Sequence, residues 1–132
     1  MINETRREIN GIEILIGDDM LAPEEIKLFE KRVPELMDKC NFTYVNTPRE
    51  ILEMIKTRKW DCIVTDLNYT RGGMEGYAIL QEVKECTPVR ILWTSDVDEK
   101  PEVVQKGIEA GATCVIEKHK LGERLKELYG GK

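Results

Sequence analysis

The sequence predicts an α/β domain built on a doubly wound, five-stranded parallel sheet with helices on both faces. Two observations carry this expectation. Short β-rich apolar runs alternate with longer helix-like segments along the chain, and such alternation implies right-handed crossovers and a parallel sheet. The 132 residues, 41% of them hydrophobic, suffice for one core and contain no repeat, low-complexity stretch or linker.

The first run, Ile12-Glu13-Ile14-Leu15-Ile16, is too short for a helix and ends at Gly17-Asp18-Asp19, so it reads as a buried strand. Pro23-Glu24-Glu25 then opens a helix, with proline suited to the first turn and the carboxylates to the positive end of the dipole. Pro34 interrupts its continuation. Phe42-Thr43-Tyr44-Val45 is the second strand, and Thr47-Pro48-Arg49-Glu50 is a capping box that starts a helix from Pro48 to about Thr57.

Asp61-Cys62-Ile63-Val64-Thr65-Asp66 forms the third strand, followed by a loop with Arg71-Gly72-Gly73 and a helix over Tyr77 to Val83. Val89 to Thr94 is the fourth strand. Pro101 starts a helix that carries Val103, Val104 and Ile108 to a stop at Gly111. Thr113-Cys114-Val115-Ile116 is the fifth strand, and a last helix covers Leu121 to Tyr129. The expected domain is 12–129, preceded by a polar lead, 1–11, and followed by a tail, 130–132.

Charged residues make up 34% of the chain with both signs interspersed, which describes a solvated surface. A net charge of -5 and a pI near 5.1 argue against a broad footprint on nucleic acid or anionic lipid, so the expected partners are proteins. No stretch approaches the roughly 18 apolar residues of a membrane span, and the N-terminus lacks a signal-peptide core. A cytoplasmic protein, monomer or weak dimer, is expected. Cys40, Cys62, Cys86 and Cys114 include no C-x-x-C pair and read as buried free thiols in a reducing compartment.

In doubly wound sheets, ligands bind beyond the C-terminal ends of the strands. Those ends carry Asp18-Asp19, Asp66, Thr94-Ser95 and Glu117-Lys118. Singly, each has an ordinary explanation: a helix cap, a turn, a strand-former, a solvated lysine. Together they place three carboxylates, a hydroxyl and an ammonium at one sheet edge. Two carboxylates about 4 Å apart repel by about 4 kcal/mol at an effective dielectric near 20, so the cluster needs a cation. All-oxygen ligands select a hard one, Mg2+ or Mn2+, and magnesium with carboxylates leaves room for phosphoryl chemistry.

From about Ile12 to Tyr129 the chain resembles the response-regulator receiver family, the CheY-like domains of two-component signalling. The resemblance rests on Asp18-Asp19 after the first strand, Asp66 after the third, Thr94 after the fourth and Lys118 after the fifth. It implies a flavodoxin-like sheet of strand order 2-1-3-4-5 and a phosphorylation switch, not a conventional enzyme. Asp66 is then the phosphoacceptor. Asp19 and Asp66 ligate Mg2+ directly, Asp18 acts mainly through bound water, and Asn68 gives its backbone carbonyl. Thr94 hydrogen-bonds a phosphoryl oxygen, while Lys118 pairs with the phosphoryl group and holds the Asp66 carboxylate. A histidine kinase or phosphotransfer protein supplies the phosphoryl group, and a downstream protein docks on the face of helix four, strand five and helix five. The chain ends just beyond the last helix, so output is expected to pass through another protein.

Three features depart from the family pattern. Tyr69-Thr70 stands where Met-Pro is usual, and the loop before Met74-Glu75-Gly76 is about two residues longer. His119 follows Lys118 where a proline after a cis bond is common, and a trans bond is expected here because a non-proline cis form costs about 2.5–4 kcal/mol. His119 itself reads as a surface loop residue. Val115 takes the place of the aromatic switch residue. Two competing readings are a pseudo-receiver that signals without phosphate and a haloacid-dehalogenase-like phosphatase. The retained Asp, Thr and Lys set argues against the first, and Asn68, where the second needs an acid, argues against that one.

Overall fold

The computed structural model describes residues 3–4, 11–95 and 100–130. Six strands and five helices follow in the order β1 (Asn3–Glu4), β2 (Ile12–Gly17), α1 (Pro23–Arg32), β3 (Cys40–Val45), α2 (Pro48–Met54), β4 (Cys62–Asp66), α3 (Glu75–Val83), β5 (Val89–Thr94), α4 (Glu102–Ala110), β6 (Cys114–Glu117) and α5 (Leu121–Tyr129). The sheet order is β1-β3-β2-β4-β5-β6. Its five longer strands are all parallel and, numbered among themselves, stand in the order 2-1-3-4-5.

Strand β1 is an addition to the expected sheet. It pairs antiparallel with β3, setting Asn3 opposite Tyr44 and Glu4 opposite Thr43. Two polar residues carry no alternation by which a sequence reading can detect a strand.

Side-chain alternation divides the core. Ile14, Ile16, Val64, Ile91 and Trp93 face α1 and α5, where Ile26, Leu121 and Leu125 cover them. Leu15, Ile63 and Leu92 face the other way, under α2, α3 and α4. Both faces are sealed, which is why these strands read as continuous apolar runs.

Local chemistry sets the helix limits. Thr47 Oγ1 accepts from the Glu50 amide at 3.1 Å and Glu50 Oε1 accepts from the Thr47 amide at 3.2 Å, the reciprocal capping box that opens α2. Helix α1 stops at Arg32, and Pro34–Leu36 continue as a short 3-10 turn. Helix α3 begins at Glu75, two residues before the expected start, and α4 begins at Glu102 with Pro101 as its cap. All four cysteines are free; Cys40 and Cys62 are buried and Cys114 partly so, but Cys86 is exposed, contrary to expectation. It lies in the turn after α3, beyond the last buried residue of the helix, Val83.

Candidate functional site

The site lies where the C-terminal ends of β2, β4, β5 and β6 meet. Strand β2 delivers the acidic pair through Gly17, where a Cβ would stand 2.4 Å from Ile51 Cδ1 and 2.5 Å from Tyr69 Oη. Any side chain at Gly17 must therefore displace its neighbours. Asp18, only 3% exposed, turns its Oδ1 back to accept from the Met20 amide at 2.8 Å. Its Oδ2 accepts from the Lys118 ammonium.

Asp66 closes β4 and is 5% exposed. Helix α3 packs directly on its backbone: the Gly76 amide donates to the Leu67 carbonyl at 2.8 Å, and a Cβ at Gly76 would lie 2.4 Å from the Asp66 carbonyl oxygen. Thr94, buried, ends β5 opposite Glu117 of β6. Lys118 follows at the start of a 3-10 turn, Lys118–Lys120, and reaches back across the sheet edge.

Carboxylate oxygens of Asp18, Asp19 and Asp66 all lie within 4.8 Å of one another. The Lys118 ammonium stands 2.5 Å from Asp18 Oδ2 and 3.3 Å from Asp66 Oδ2. Burial, reinforced by the Asp18 charge and opposed by Lys118, raises the Asp66 carboxyl from its ordinary 3.8 to about 6. Burial by itself pulls the Lys118 ammonium down, but its contacts with Asp18 and then Asp66 prevail and leave it above the ordinary lysine value. Burial and the neighbouring Asp18 charge thus both oppose ionisation of Asp66, and a cation beside the pair relieves the second of these. The donors are all oxygen, so the residues present fit a hard divalent ion.

A cleft of about 370 Å³ opens over these groups, lined by Asp19, Asp66, Asn68, Thr94 and Lys118, with Thr70 and Arg71 at its rim. The lengthened loop after β4 is held by Glu75, whose carboxylate accepts from the Tyr69 amide at 2.9 Å, the Thr70 amide at 3.3 Å and the Thr70 hydroxyl. Asn68 Oδ1 accepts from the Met74 amide at 2.8 Å. Gly72 and Met74 adopt positive φ, 68° and 54°, which turns the chain back into α3.

The geometry thus brings Asp19, Asp66, Asn68, Thr94 and Lys118 to one cleft, while buried Asp18 joins the cluster through its carboxylate, paired with Lys118 and close to Asp19 and Asp66. It also brings in groups that the sequence reading did not select. Glu75 latches the loop, and Trp93 lies under Lys118, with the ammonium 5.5 Å from its ring centroid. In the sequence Trp93 is one more strand residue, and only the β4–β5 register sets it opposite Asp66. The other two departures from the family pattern also find their places. His119 is exposed, no described peptide bond is cis, and Val115 packs against α4, where a Cβ at Gly107 would lie 2.7 Å from Val115 Cγ2.

Residues 14–129 match the family model described as the response regulator receiver domain. The chain belongs to the response regulator receiver family.

Solved receiver structures share its fold. The signal receiver domain of an HD domain-containing protein from Pseudomonas fluorescens Pf-5 superposes with a TM-score of 0.70 at 18% identity, covering 94% of this chain and 88% of that one. A response regulator from Thermotoga maritima gives 0.69 at 18% identity, with 89% and 97% covered. The chemotaxis response regulator CheY4 of Vibrio cholerae gives 0.66 at 22% identity, with 89% and 95% covered. No curated protein matches in sequence. Receiver domains are signalling switches that bind Mg2+ in an acidic pocket and interact with histidine kinases or phosphotransfer proteins, and this receiver carries the acidic cluster at the corresponding sheet edge. Among the described residues, no helix is long and apolar enough to cross a membrane.

Proposed function

We propose that this receiver, spanning 12–129 with a short tail at 130–132, is a phosphorylation-dependent switch. Asp66 accepts a phosphoryl group from a histidine kinase or phosphorelay partner. The observation that carries this reading is the contact of Asp66 with both kinds of charge the reaction needs. Asp18 and Asp19 stand beside it as further oxygen ligands, and the Lys118 ammonium lies 3.3 Å away.

In the reaction, an Asp66 carboxylate oxygen forms a bond to phosphorus as the bond from phosphorus to the donor breaks, and the electron pair leaves with the donor. A carboxylate is a weak nucleophile, so the gain comes from alignment and from charge stabilisation of the phosphoryl oxygens. Asp18, Asp19, Asp66 and the Asn68 carbonyl would hold Mg2+. When bound, Mg2+ neutralises charge on the phosphoryl oxygens. Thr94 donates its hydroxyl to one of those oxygens, and Lys118 moves its ammonium to another. Water later cleaves the acyl phosphate, so the domain resets itself without acting as a conventional enzyme.

The output is a protein contact on the face of α4, β6 and α5, where Val104 and Ile108 are exposed on α4. Val115 packs closely on Gly107 of α4 there, and no aromatic side chain stands at that position. Acetyl phosphate with Mg2+ tests the function: a phosphoryl adduct mapped to Asp66 by mass spectrometry, and absent in Asp66→Asn, is the expected result. An unmodified Asp66 under those conditions overturns it in favour of a phosphate-independent binding module.

A further inference from the structure

Trp93 is the penultimate residue of β5, 8% exposed, and sits directly opposite Asp66 in the β4–β5 ladder. Its indole Nε1 donates to the Gly17 carbonyl at 3.2 Å, the residue immediately before the acidic pair. Its ring face lies 5.5 Å from the Lys118 ammonium. One side chain therefore touches the backbone that presents Asp18 and the cation that answers it.

Lys118 needs such a support. It stands at the start of an exposed 3-10 turn, with His119 and Lys120 in solvent, and its side chain is 32% exposed. Among the described residues its charged contacts are the carboxylates of Asp18 and Asp66, the same groups that would serve the cation and the phosphoryl group. A contact that neither ligates nor changes charge has to hold the ammonium while those carboxylates are engaged. An indole face within about 6 Å of an ammonium meets this need, and a buried indole is itself fixed in orientation once its N–H is bonded.

We propose that Trp93 is a positioning residue for phosphorylation, its ring forming the fixed side of the seat from which Lys118 reaches the phosphoryl group on Asp66. The proposal rests on the reading of Asp66 as phosphoacceptor. It gives the indole a role besides filling the core between the sheet, α1 and α5.

The test uses the full chain and two substitutions of similar volume that both lose the indole N–H, Trp93→Phe, which keeps an aromatic face, and Trp93→Met, which does not. Trp93→Leu serves as a second ringless variant. In the metal-free protein, the NMR resonances of the Lys118 ε-methylene, assigned by their loss in K118R, should lie upfield in wild type and W93F. In W93M and W93L they should return to the ordinary lysine position. With Mg2+ and acetyl phosphate, W93F should label Asp66 within about twofold of wild type and W93M about tenfold more slowly, a loss between those of exposed and of desolvated cation–π contacts, as suits a partly exposed lysine. Equal slowing in W93F and W93M, or an ordinary Lys118 position in wild type, overturns the proposal and leaves Trp93 a packing residue. An unlabelled Asp66 in wild type with the upfield shift intact overturns the phosphoacceptor reading instead, and the positioning role with it.

Discussion

Lys118 binds Asp18 more closely than Asp66: its ammonium is 2.5 Å from Asp18 Oδ2 and 3.3 Å from Asp66 Oδ2. The residue expected to hold the phosphoacceptor is thus paired first with a metal-ligand candidate. In the metal-free state it acts as an internal counter-ion, because two neighbouring buried carboxylates otherwise repel.

Removing this ammonium should therefore change metal affinity and phosphorylation in opposite directions. Lys118→Met is expected to tighten Mg2+ binding by about tenfold, because the cation no longer displaces an ammonium from Asp18, each tenfold being about 1.4 kcal/mol. It should also slow labelling of Asp66 by acetyl phosphate. Titration calorimetry measures the first effect; weaker Mg2+ binding in the variant would show that Lys118 helps assemble the metal site.

The raised Asp66 carboxyl has a consequence for stability. Its folded value of about 6 lies above the ordinary 3.8, so the native state binds more protons between those values. By linkage, the favourable contribution is full below about pH 4 and is lost as pH rises through 6. Metal-free protein should lose at most about 3 kcal/mol from this group across that window, since each unit corresponds to about 1.4 kcal/mol. Urea unfolding at pH 4 to 8 should show the decline in wild type and a flatter profile in Asp66→Asn. Mg2+ at pH 7 should restore wild-type stability by mass action.

Gly17, at the end of β2, and Gly76, in the first turn of α3, should respond differently to alanine. At Gly76 the added Cβ meets backbone, the Asp66 carbonyl oxygen at 2.4 Å and Leu67 Cα at 2.8 Å, whereas at Gly17 it meets the side-chain ends of Ile51 and Tyr69. Backbone yields less readily than side-chain ends, so Gly76→Ala should cost about 3 kcal/mol and Gly17→Ala about half as much. Urea midpoints compare them, and the reverse order would mean that α3 slides easily over β4.

Glu75 should matter to the loop more than to global stability. Its carboxylate accepts from two amides and a hydroxyl of Tyr69 and Thr70, and those hydrogen bonds hold the carboxyl below its ordinary value. Glu75→Ala should speed amide exchange at Tyr69 and Thr70 at least about tenfold while lowering stability by only about 1 kcal/mol, because the group is largely solvated. Unchanged exchange at those amides would show that the two positive-φ residues, Gly72 and Met74, suffice to hold the turn.

What the sequence determined by itself was the order of the five parallel strands and their helices, and which residues stand at the strand ends. Apolar periodicity, capping boxes and proline positions are local signals, and the rule that ligands bind beyond parallel strand ends converts element order into a place. Asp18, Asp19, Asp66, Thr94 and Lys118 could be named because each directly ends or follows a strand. The rest depended on distances between remote parts of the chain. The pairing of Lys118 with Asp18 joins positions 100 residues apart, and its preference for Asp18 over Asp66 comes from side-chain reach, which no spacing encodes. Trp93 read as one more strand residue until packing set its ring beside Lys118. Strand β1, the Glu75 latch and the exposure of Cys86 likewise follow from neighbours that only the folded chain supplies.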